Sequence, residues 1–287
     1  MAKGRELKGR IKSTENTKKI TRTMEMVATS KMKRATDRVS SARPYARALA
    51  EVMANVYAPE LADEFPLLRQ PAKARTAAII LLTANRGLCG GFNANLIKEG
   101  RALLQRLEAQ GTAVELHAVG KKGIGYFKYV GRPTASQRTD ISDKPTAADA
   151  ASLIDDAMAR FGAGALDAVY IVYSKFNSVV STPATSERVL PVVVPARSGP
   201  ARDFILSPSA QAILTELLPL AVRNAMYRAL VETVAGEQSA RRTAMKNATD
   251  NATDMLSTLR RTYNRARQAQ ITQEIAEIVG GTAALSG

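Results

Sequence analysis

Residues 28–56, ATSKMKRATDRVSSARPYARALAEVMANV, decide the fold because their apolar side chains recur at alternating steps of four and three. This spacing indicates a helix that packs along a second helix in a left-handed coiled coil. We expect the helix to run from Gly4 to Tyr57, with Pro44 kinking it without ending it. The apolar positions are Ala28, Met32, Ala35, Val39, Ala42, Ala46, Leu49, Met53 and Val56.

A second long helix is predicted near the other end of the chain, from Ser207-Pro208 to about Ala284. Serine at the N-cap followed by proline is typical of a helix start. Pro219 and Gly236 would cost an isolated helix about 3 and 1 kcal/mol, so packing must compensate, and we expect bends there rather than breaks. A matching seam is formed by Met245, Ala248, Ala252, Met255 and Leu259.

The two predicted helices would measure about 80 and 115 Å at 1.5 Å per residue. If both leave one central domain they run antiparallel, and the second outreaches the first by roughly 20 residues on the same rise. Its last stretch, ITQEIAEIVGGTAAL at 271–285, would then lack a partner helix. We expect another chain to cover its apolar side chains, Ile271, Ile275, Ile278 and Val279.

The middle of the chain alternates apolar runs with helical patterns. Strands are predicted at 76–83, 113–119 and 167–174, and this βαβ order implies a small parallel, Rossmann-like sheet. The intervening helices are predicted at 94–110 and 146–161. The run at 186–195 is predicted to add an edge strand, because Pro191 is tolerated only at an edge, and 131–145 is predicted to be a polar loop.

These patterns predict an α/β fold combined with a long antiparallel coiled coil. The predicted divisions are an N-terminal helix at 1–57, a linker at 58–75, a central α/β domain at 76–195, a linker at 196–207, and a C-terminal helix with its tip at 208–287.

Composition excludes several classes of chemistry. Cys89 is the only cysteine and His117 the only histidine, so an intrachain disulfide, a zinc site and a serine–histidine triad all lack residues. No apolar stretch reaches the length of a membrane span and the first residues lack the apolar core of a signal peptide, so we expect a soluble cytosolic chain.

The turn TANRGLCGGFN at 83–93 lies between a predicted strand and a predicted helix, where phosphate loops lie. Its glycines follow G-x-x-G-G, which matches neither the dinucleotide spacing nor the P-loop. We therefore predict a tight structural turn and expect no cofactor. Cys89 has no partner base or second cysteine and is expected to be a small packed residue.

Two other candidates for chemistry are weak. GKKG at 120–123 is predicted to be a solvated basic turn. Asp155 and Asp156 are neighbours on a predicted helix, so their carboxylates point in different directions and cannot converge on one substrate atom. We expect no catalytic residues and no metal site.

The formal net charge is +15, and residues 1–57 hold 14 Lys and Arg against 5 Asp and Glu. The clusters KKITR at 18–22 and SKMKRA at 30–35 fit either nucleic acid or an acidic loop of another protein. Residues 1–44 contain no aromatic side chain to stack on bases, which favours a protein partner. A nucleic-acid-binding coiled coil and a dinucleotide-dependent enzyme stay open as alternatives, tested by salt-dependent binding and by a nucleotide-induced shift in melting temperature.

The stretches NTKKITRTMEMVATSKMKRA (16–35), TANRGLCGGFN and YNRARQAQITQEIAEIVGG (263–281) resemble the gamma subunits of F-type rotary ATP synthases, and the resemblance covers the whole chain. Thr282 departs from the alanine usual in the family. The paired-cysteine redox segment of chloroplast members is absent, which indicates the bacterial type. The C-terminal signature falls on Ile271, Thr272, Glu274, Glu277 and Gly281.

The resemblance implies that the two long helices form a shaft inside a ring of alternating alpha and beta subunits. The α/β domain would be a foot that turns with the epsilon subunit and the c-subunit ring. The chain would transmit torque for ATP synthesis or hydrolysis, perform no bond chemistry, bind no specific nucleic acid and not insert into the membrane. It would lie at the cytoplasmic face of the bacterial plasma membrane.

The resemblance also implies contacts for individual residues. The basic side chains would meet acidic loops of beta subunits, and the apolar tip would turn in a bearing formed by the ring. Arg86 and Cys89 would face the beta or epsilon subunit. The residues assigned to the alpha/beta ring are Lys18, Lys19, Met24, Lys31, Lys33, Arg34, Arg267, Gln268, Thr272, Glu274, Ile275, Ile278 and Val279.

Overall fold

Two long helices begin and end the part of the chain that the computed structural model describes, which is residues 2–57, 64–194 and 209–285. Helix α1 is Ala2–Val56 and helix α5 is Ala210–Leu285. Each continues through its proline, Pro44 or Pro219, as expected. The predicted cap at Ser207-Pro208 and the linker 196–207 lie outside the described residues.

The chain divides into two compact units. One comprises Met1–Ala28 with Arg242–Gly287, and the other comprises Thr29–Arg241. The first therefore consists of helix α1 and α5 residues alone, whereas the second contains the sheet.

The sheet has five strands in the order β3-β2-β1-β4-β5. Strands β1 to β4 pair in parallel, and β5 pairs antiparallel with β4 at one edge. The predicted strands at 76–83, 113–119 and 167–174 are thus confirmed within one residue at each end. The five strands are β1 Thr76–Leu82, β2 Ala113–Val119, β3 Ser136–Arg138, β4 Ala168–Ser174 and β5 Ala184–Leu190.

The predicted edge strand at 186–195 is confirmed as an edge strand, but its bounds were wrong. Strand β5 ends at Leu190, directly before Pro191, which has no N–H to extend the ladder. The chain then leaves the sheet, and the backbone N–H of Val192 donates to the carbonyl of Leu67 at 2.9 Å.

Three elements were missed from the sequence, one of them a short 3-10 helix, Pro66–Leu68, in the predicted linker 58–75, whose first residues, 58–63, lie outside the described residues. The basic turn at 120–123 in fact begins helix α3, Lys121–Tyr129, and the predicted loop at 131–145 contains β3. Gly123 and Gly125 weaken the helical pattern of α3. Strand β3 has three largely polar residues and little burial, so it lacks the alternation that marks a strand.

Helices α2, Phe92–Ala109, and α4, Ala147–Gly162, cover opposite faces of the sheet. The fully buried β1 sends alternate side chains to each: Ile79 and Leu81 pack with the α2 side, and Ile80 and Leu82 with the α4 side, where the first turns of α5 also pack. This is why β1 reads as a continuous apolar run. Thr146 and Asp149 form a capping box that fixes the start of α4.

Candidate functional site

The two helices of the first unit pack as an antiparallel pair. The hydroxyls of Thr21 and Thr249, both buried, lie 2.8 Å apart. Arg260 donates to Glu15 at 2.6 Å, so residues later in α5 lie opposite residues earlier in α1. The predicted seam is correct at Ala28, Met245 and Ala252 but wrong at Met255, which is 57% exposed. Leu256 takes its place in the seam, being 5% exposed and one helical turn after Ala252.

The last turns of α5 carry an exposed apolar group. Ile271, Ile275, Ile278 and Val279 are 46%, 56%, 67% and 61% exposed. Every residue from 271 to 282 is exposed, whereas Thr249, Ala252 and Leu256 earlier in the same helix are buried. The sequence prediction that this stretch lacks a covering helix therefore agrees with the described residues. We call Ile271, Ile275, Ile278 and Val279 the apolar tip.

The polar residues of α5 that the resemblance assigns to the alpha/beta ring lie on the same stretch of the helix. Arg267, Gln268, Thr272 and Glu274 are all exposed. Glu274 accepts a hydrogen bond from Gln270 at 2.9 Å, one helical turn away. Their other polar groups face solvent, where a second chain could contact them. Met24 on α1 is partly buried.

The basic residues of α1 fall in both units. Lys18 and Lys19 belong to the first unit and Lys31, Lys33 and Arg34 to the second. Lys19, Lys33 and Arg34 are exposed, while Lys18 and Lys31 are partly buried. Lys31 already forms an ion pair with Asp143 at 2.6 Å, so its charge is partly neutralised within the chain. Arg34 donates to the hydroxyl of Ser30 at 3.0 Å.

The glycine-rich turn at 83–93 folds into a compact, self-bonded connection between β1 and α2. Leu88 and Gly90 have positive φ angles of 62° and 56°. Asn93 holds the turn closed, since its side-chain oxygen accepts from the N–H of Ala84 at 2.9 Å and its amide lies 3.1 Å from the Cys89 sulfur. The turn is therefore closed by one of its own side chains, while Asn85 bonds to other segments of the domain.

Cys89 is 2% exposed, so its side chain cannot form part of an outer surface here. Burial raises the pKa of the Cys89 thiol, with a smaller opposing effect from the charge of Arg241. A thiol in this state is a poor nucleophile. Of the two residues at this turn expected to face another subunit, Arg86 and Cys89, only Arg86 is exposed.

Helix α5 lines the edge of the sheet where folds of this kind bind ligands. With this strand order, the ligand crevice lies at the carboxyl ends of the strands, where the order reverses between β1 and β4. There the N–H of Ser174 lies 3.4 Å from the Thr233 hydroxyl, and Arg241 donates to the carbonyl of Gly87 at 3.2 Å. Gly236 allows this approach, because a Cβ there would lie 3.0 Å from the Cβ of Ser174.

A buried ion pair lies within the same part of α5. Glu237 and Arg241 lie 2.5 Å apart with side chains 10% and 11% exposed. Burial raises the pKa of Glu237, whereas the charge of Arg241 and its hydrogen bond lower it. The pair adjoins the glycine-rich turn through the Arg241 contact with Gly87. Glu237 also lines the cavity at the carboxyl ends of β1 and β2.

The first turn of α3 borders a cavity of about 590 Å³ that also includes Arg86 and Lys144. The N–H groups that would bind a phosphate there are already used. Lys121 donates to the Asn85 side chain at 3.0 Å, and Gly123 donates to the Thr83 hydroxyl at 2.9 Å. GKKG is thus a helix start tied to the end of β1.

The remaining candidates for chemistry diverge, as predicted. Asp155 forms two hydrogen bonds of 2.8 Å with Arg223, while Asp156 is 78% exposed and lies 3.9 Å from Arg160. Among the described residues, no group of three or more His, Cys, Asp and Glu could hold a metal ion. No helix within the described ranges has the length and apolarity of a membrane span.

A family model described as ATP synthase matches residues 3–285 of the chain. The ATP synthase gamma chain of Gemmatimonas aurantiaca is 71% identical over 290 residues, and the match covers 100% of both sequences. The chain belongs to the ATP synthase gamma chain family. The gamma chain of Leptospira biflexa is 42% identical over 291 residues, again with 100% of both sequences covered. The resemblance noted from the sequence is therefore confirmed.

Solved structures support the fold of this gamma chain family member. A chain of the Euglena gracilis mitochondrial ATP synthase, in a structure of OSCP, F1 and c-ring, superposes with a TM-score of 0.67 at 18% identity, covering 99% of this chain and 95% of that one. A chain of the Tetrahymena thermophila central stalk and c-ring gives 0.59 at 24% identity, covering 80% and 99%. The predicted combination of long helices with a central sheet is confirmed.

Proposed function

We propose that the chain is the central rotor shaft of an F-type ATP synthase and transmits torque between a proton-driven c-subunit ring and a catalytic alpha/beta ring. The apolar tip of α5 is the observation that carries the proposal. Its side chains extend from a helix whose earlier turns pack on α1. Membership of the gamma chain family supplies the complex in which such a helix would act.

The apolar tip suits a bearing better than a free surface. Four branched aliphatic side chains within nine residues, each 46% or more exposed, leave apolar area in water that another chain would cover. Aliphatic side chains form no directional hydrogen bonds, so they can slide past an apolar surround without one strongly preferred angle. We propose that Ile271, Ile275, Ile278 and Val279 turn within such a surround on the alpha/beta ring.

We assign the polar residues beside the tip to coupling. Arg267, Gln268, Thr272 and Glu274 offer charge and hydrogen-bonding groups that can meet different groups of the ring as the shaft turns. Met24 is proposed to act with them. These contacts would be intermittent, because exposed polar pairs are individually weak in water.

Exposed cations on α1 suit acidic loops of beta subunits. Lys19, Lys33 and Arg34 are the exposed members of the basic group. Lys18 and Lys31 would contribute less, since Lys18 is partly buried and Lys31 is paired with Asp143. Together they would supply a long-range attraction that depends on ionic strength.

The chain itself is proposed to carry no catalytic site. The backbone N–H groups beside the cavity at the end of the sheet are bonded within the chain, and the thiol and carboxylates considered as catalytic groups are buried or diverge. We propose that catalysis belongs to the beta subunits, and that Arg86 faces a beta or epsilon subunit. We also propose that the complex lies at the cytoplasmic face of a bacterial membrane and that the chain contacts the c-subunit ring without entering the bilayer.

The proposal is tested in membrane vesicles that contain the assembled synthase. Ile275 and Ile278 are changed together to aspartate, and ATP hydrolysis and ATP-driven proton pumping are measured on the same vesicles. We expect less pumping per ATP hydrolysed, with the melting temperature of the chain unchanged because both side chains are exposed. The matched control changes both residues to leucine and should pump like the wild type. Normal pumping by the aspartate variant would contradict the proposal that the apolar tip turns within an apolar surround on the alpha/beta ring.

A further inference from the structure

Phe176, the second residue after β4, is held by both long helices within the second unit. Its backbone N–H donates to the Glu232 carboxylate of α5 at 2.9 Å. Its backbone carbonyl accepts from the Arg43 guanidinium of α1 at 2.8 Å. Both partners are ionisable groups, and hydrogen bonds to charged groups are stronger than those between neutral ones.

The side chain of Phe176 fills a small core of its own. It is 5% exposed and packs in a cluster separate from the two larger cores of the α/β domain. Two members of this cluster belong to α1 and two to α5, so the ring is inserted between the helices. These members are Ala35, Val39, Val231 and Ala235.

The Glu232 carboxylate is buried beside the Phe176 backbone. It is 5% exposed, and a buried carboxylate is costly unless hydrogen bonds and nearby cations stabilise it. Burial raises the pKa of Glu232, while the Phe176 N–H and the charges of Arg228 and Arg43 lower it. Glu232 is thus stabilised both by the Phe176 N–H that it accepts from and by the charge of Arg43, which donates to the Phe176 carbonyl.

Strand β4, which leads to Phe176, is itself held by bonds to its neighbours in the sheet and to α5. Phe176 follows β4, which pairs with the central strand β1. Tyr173 of β4 donates to Glu187 of β5 at 2.6 Å, and Arg228 of α5 donates to the same carboxylate at 2.6 Å. Movement of α5 against the sheet would therefore strain the bonds at Glu187 and at Phe176 together.

Apolar side chains of both long helices also pack in the larger core on the α4 side of the sheet, but the ion pairs that join the helices to the domain are more open to solvent. The Lys31–Asp143 pair has side chains 39% and 51% exposed, and the Arg223–Asp155 pair 44% and 39%. Exposed ion pairs contribute little because water screens them. These pairs resist twisting less than a buried ring whose backbone N–H is bound by buried Glu232, to which the exposed Arg43 adds a second hydrogen bond.

We propose that Phe176, held by Glu232 and Arg43, is the joint that passes torque between the α/β domain and the two long helices. The inference rests on the proposed rotor function, in which Phe176 would act as a positioning residue. A loose joint would let the domain twist elastically against the helices, so that part of each rotation would be stored as strain. A stiff joint passes the rotation on.

The test measures angular fluctuation in the complete alpha–beta–gamma complex, held stalled without nucleotide. A probe is attached to the α/β domain through Tyr129→Cys, a position 90% exposed, while buried Cys89 should not compete for the label. By equipartition, the angular variance of the probe rises as the joint softens. We expect Phe176→Ala to increase the variance, and Arg43→Ala to increase it to a smaller extent.

Two matched controls separate the joint from general destabilisation. Leu103→Ala removes a buried side chain of α2 from the core on the other face of the sheet, which has no buried member from either long helix, and Arg47→Ala removes an exposed cation one turn further along α1. Neither should change the variance, although Leu103→Ala should lower the melting temperature. If Phe176→Ala prevents assembly, the inference is tested by comparing the angular variance of Arg43→Ala with that of Arg47→Ala.

The inference is overturned if Arg43→Ala and every assembling Phe176 variant fluctuate like the wild type, or if Leu103→Ala raises the variance as much as Phe176→Ala. A failure of the proposed function looks different, because the wild-type chain would then not assemble with alpha and beta subunits or would not turn on addition of ATP. That result would remove the basis of the inference as well.

Discussion

Gly236 is predicted to be a contact residue, so that replacing it with alanine should destabilise the chain although alanine is the better helix former. In α5 a Cβ at this position would lie 3.0 Å from the Cβ of Ser174, 3.4 Å from the ring of Phe92 and closer still to the Ser174 hydroxyl. Ser174 belongs to β4 and is 1% exposed, so it has no room to move away.

The expected size follows from three opposing contributions. Alanine gains about 1 kcal/mol of helix propensity over glycine. Overpacking a buried contact costs roughly 1–3 kcal/mol. Displacing the Ser174 hydroxyl also weakens its 3.2 Å hydrogen bond to the carbonyl of Thr182, worth about 1 kcal/mol. We therefore expect Gly236→Ala to lower the free energy of unfolding by roughly 1–3 kcal/mol.

A second measurement, with Gly236→Ala in a Ser174→Gly variant, tests the close contact specifically. Ser174→Gly removes both nearby atoms, after which the next contact is the Phe92 ring at an ordinary 3.4 Å. In that background the propensity gain is no longer opposed, so Gly236→Ala should stabilise by about 1 kcal/mol. The same substitution thus changes sign between backgrounds, which is a coupling of the kind that double-mutant cycles measure.

The assay is native-state hydrogen exchange of peptides that contain β4, in the full-length chain. Gly9→Ala is the matched control, because a Cβ there has nothing within 4 Å, and it should leave exchange in β4 unchanged. If Gly236→Ala protected β4 in the wild-type background, or destabilised it equally in both backgrounds, the close-contact argument would be refuted.

Three further predictions concern single side chains. Cys89 should react with iodoacetamide far more slowly in the native chain than in denaturant, because it is buried and its pKa is raised; equal rates would contradict this. Burial lowers the pKa of His117 below 6.5, outweighing the opposing charge of Glu115, so the unfolded state binds the extra proton first. Stability should then fall as pH decreases below 6.5, and His117→Asn, followed by thermal melts, should reduce that fall; an imidazole resonance titrating above 6.5 would be inconsistent with it. Arg223→Ala breaks an exposed pair with Asp155 and should cost no more than about 1 kcal/mol in denaturant unfolding; a larger cost would mean that the pair is not screened.

Much of the fold could be predicted because its signals are local. β1 is buried on both faces, so its continuous apolar run marks it without reference to any other segment. The spacing of Ala28, Ala35 and Val39 likewise reports one buried helix face, and all three are buried. The apolar tip was found the same way, since helix length and residue type together indicated side chains with nothing to cover them.

The glycines were misread for a physical reason. Gly123 and Gly236 are each counted as a cost to a helix by propensity alone. In the structure each allows a helix to approach the sheet, with a Cβ at Gly123 lying 2.9 Å from the Thr83 hydroxyl and one at Gly236 overlapping Ser174. The contact that makes glycine necessary comes from a distant segment, and no local pattern contains it.

The joint at Phe176 was beyond sequence reasoning on similar grounds. Arg43 and Glu232 are unremarkable members of helices, and each lies more than 50 residues from Phe176. Nothing in their spacing marks them as partners of one backbone group. The only local signal was that Phe176 is an aromatic residue directly after a strand, which is common at the rim of any core.

The most direct test of the rotor function is observation of a single complex. The alpha and beta subunits are fixed to a surface, and a probe is attached to the chain through Tyr129→Cys. On addition of ATP, we predict continuous rotation of the probe in one direction, stopping when ATP is removed. A complex that hydrolyses ATP while the probe stays at a fixed angle would contradict the claim that this chain is the rotor.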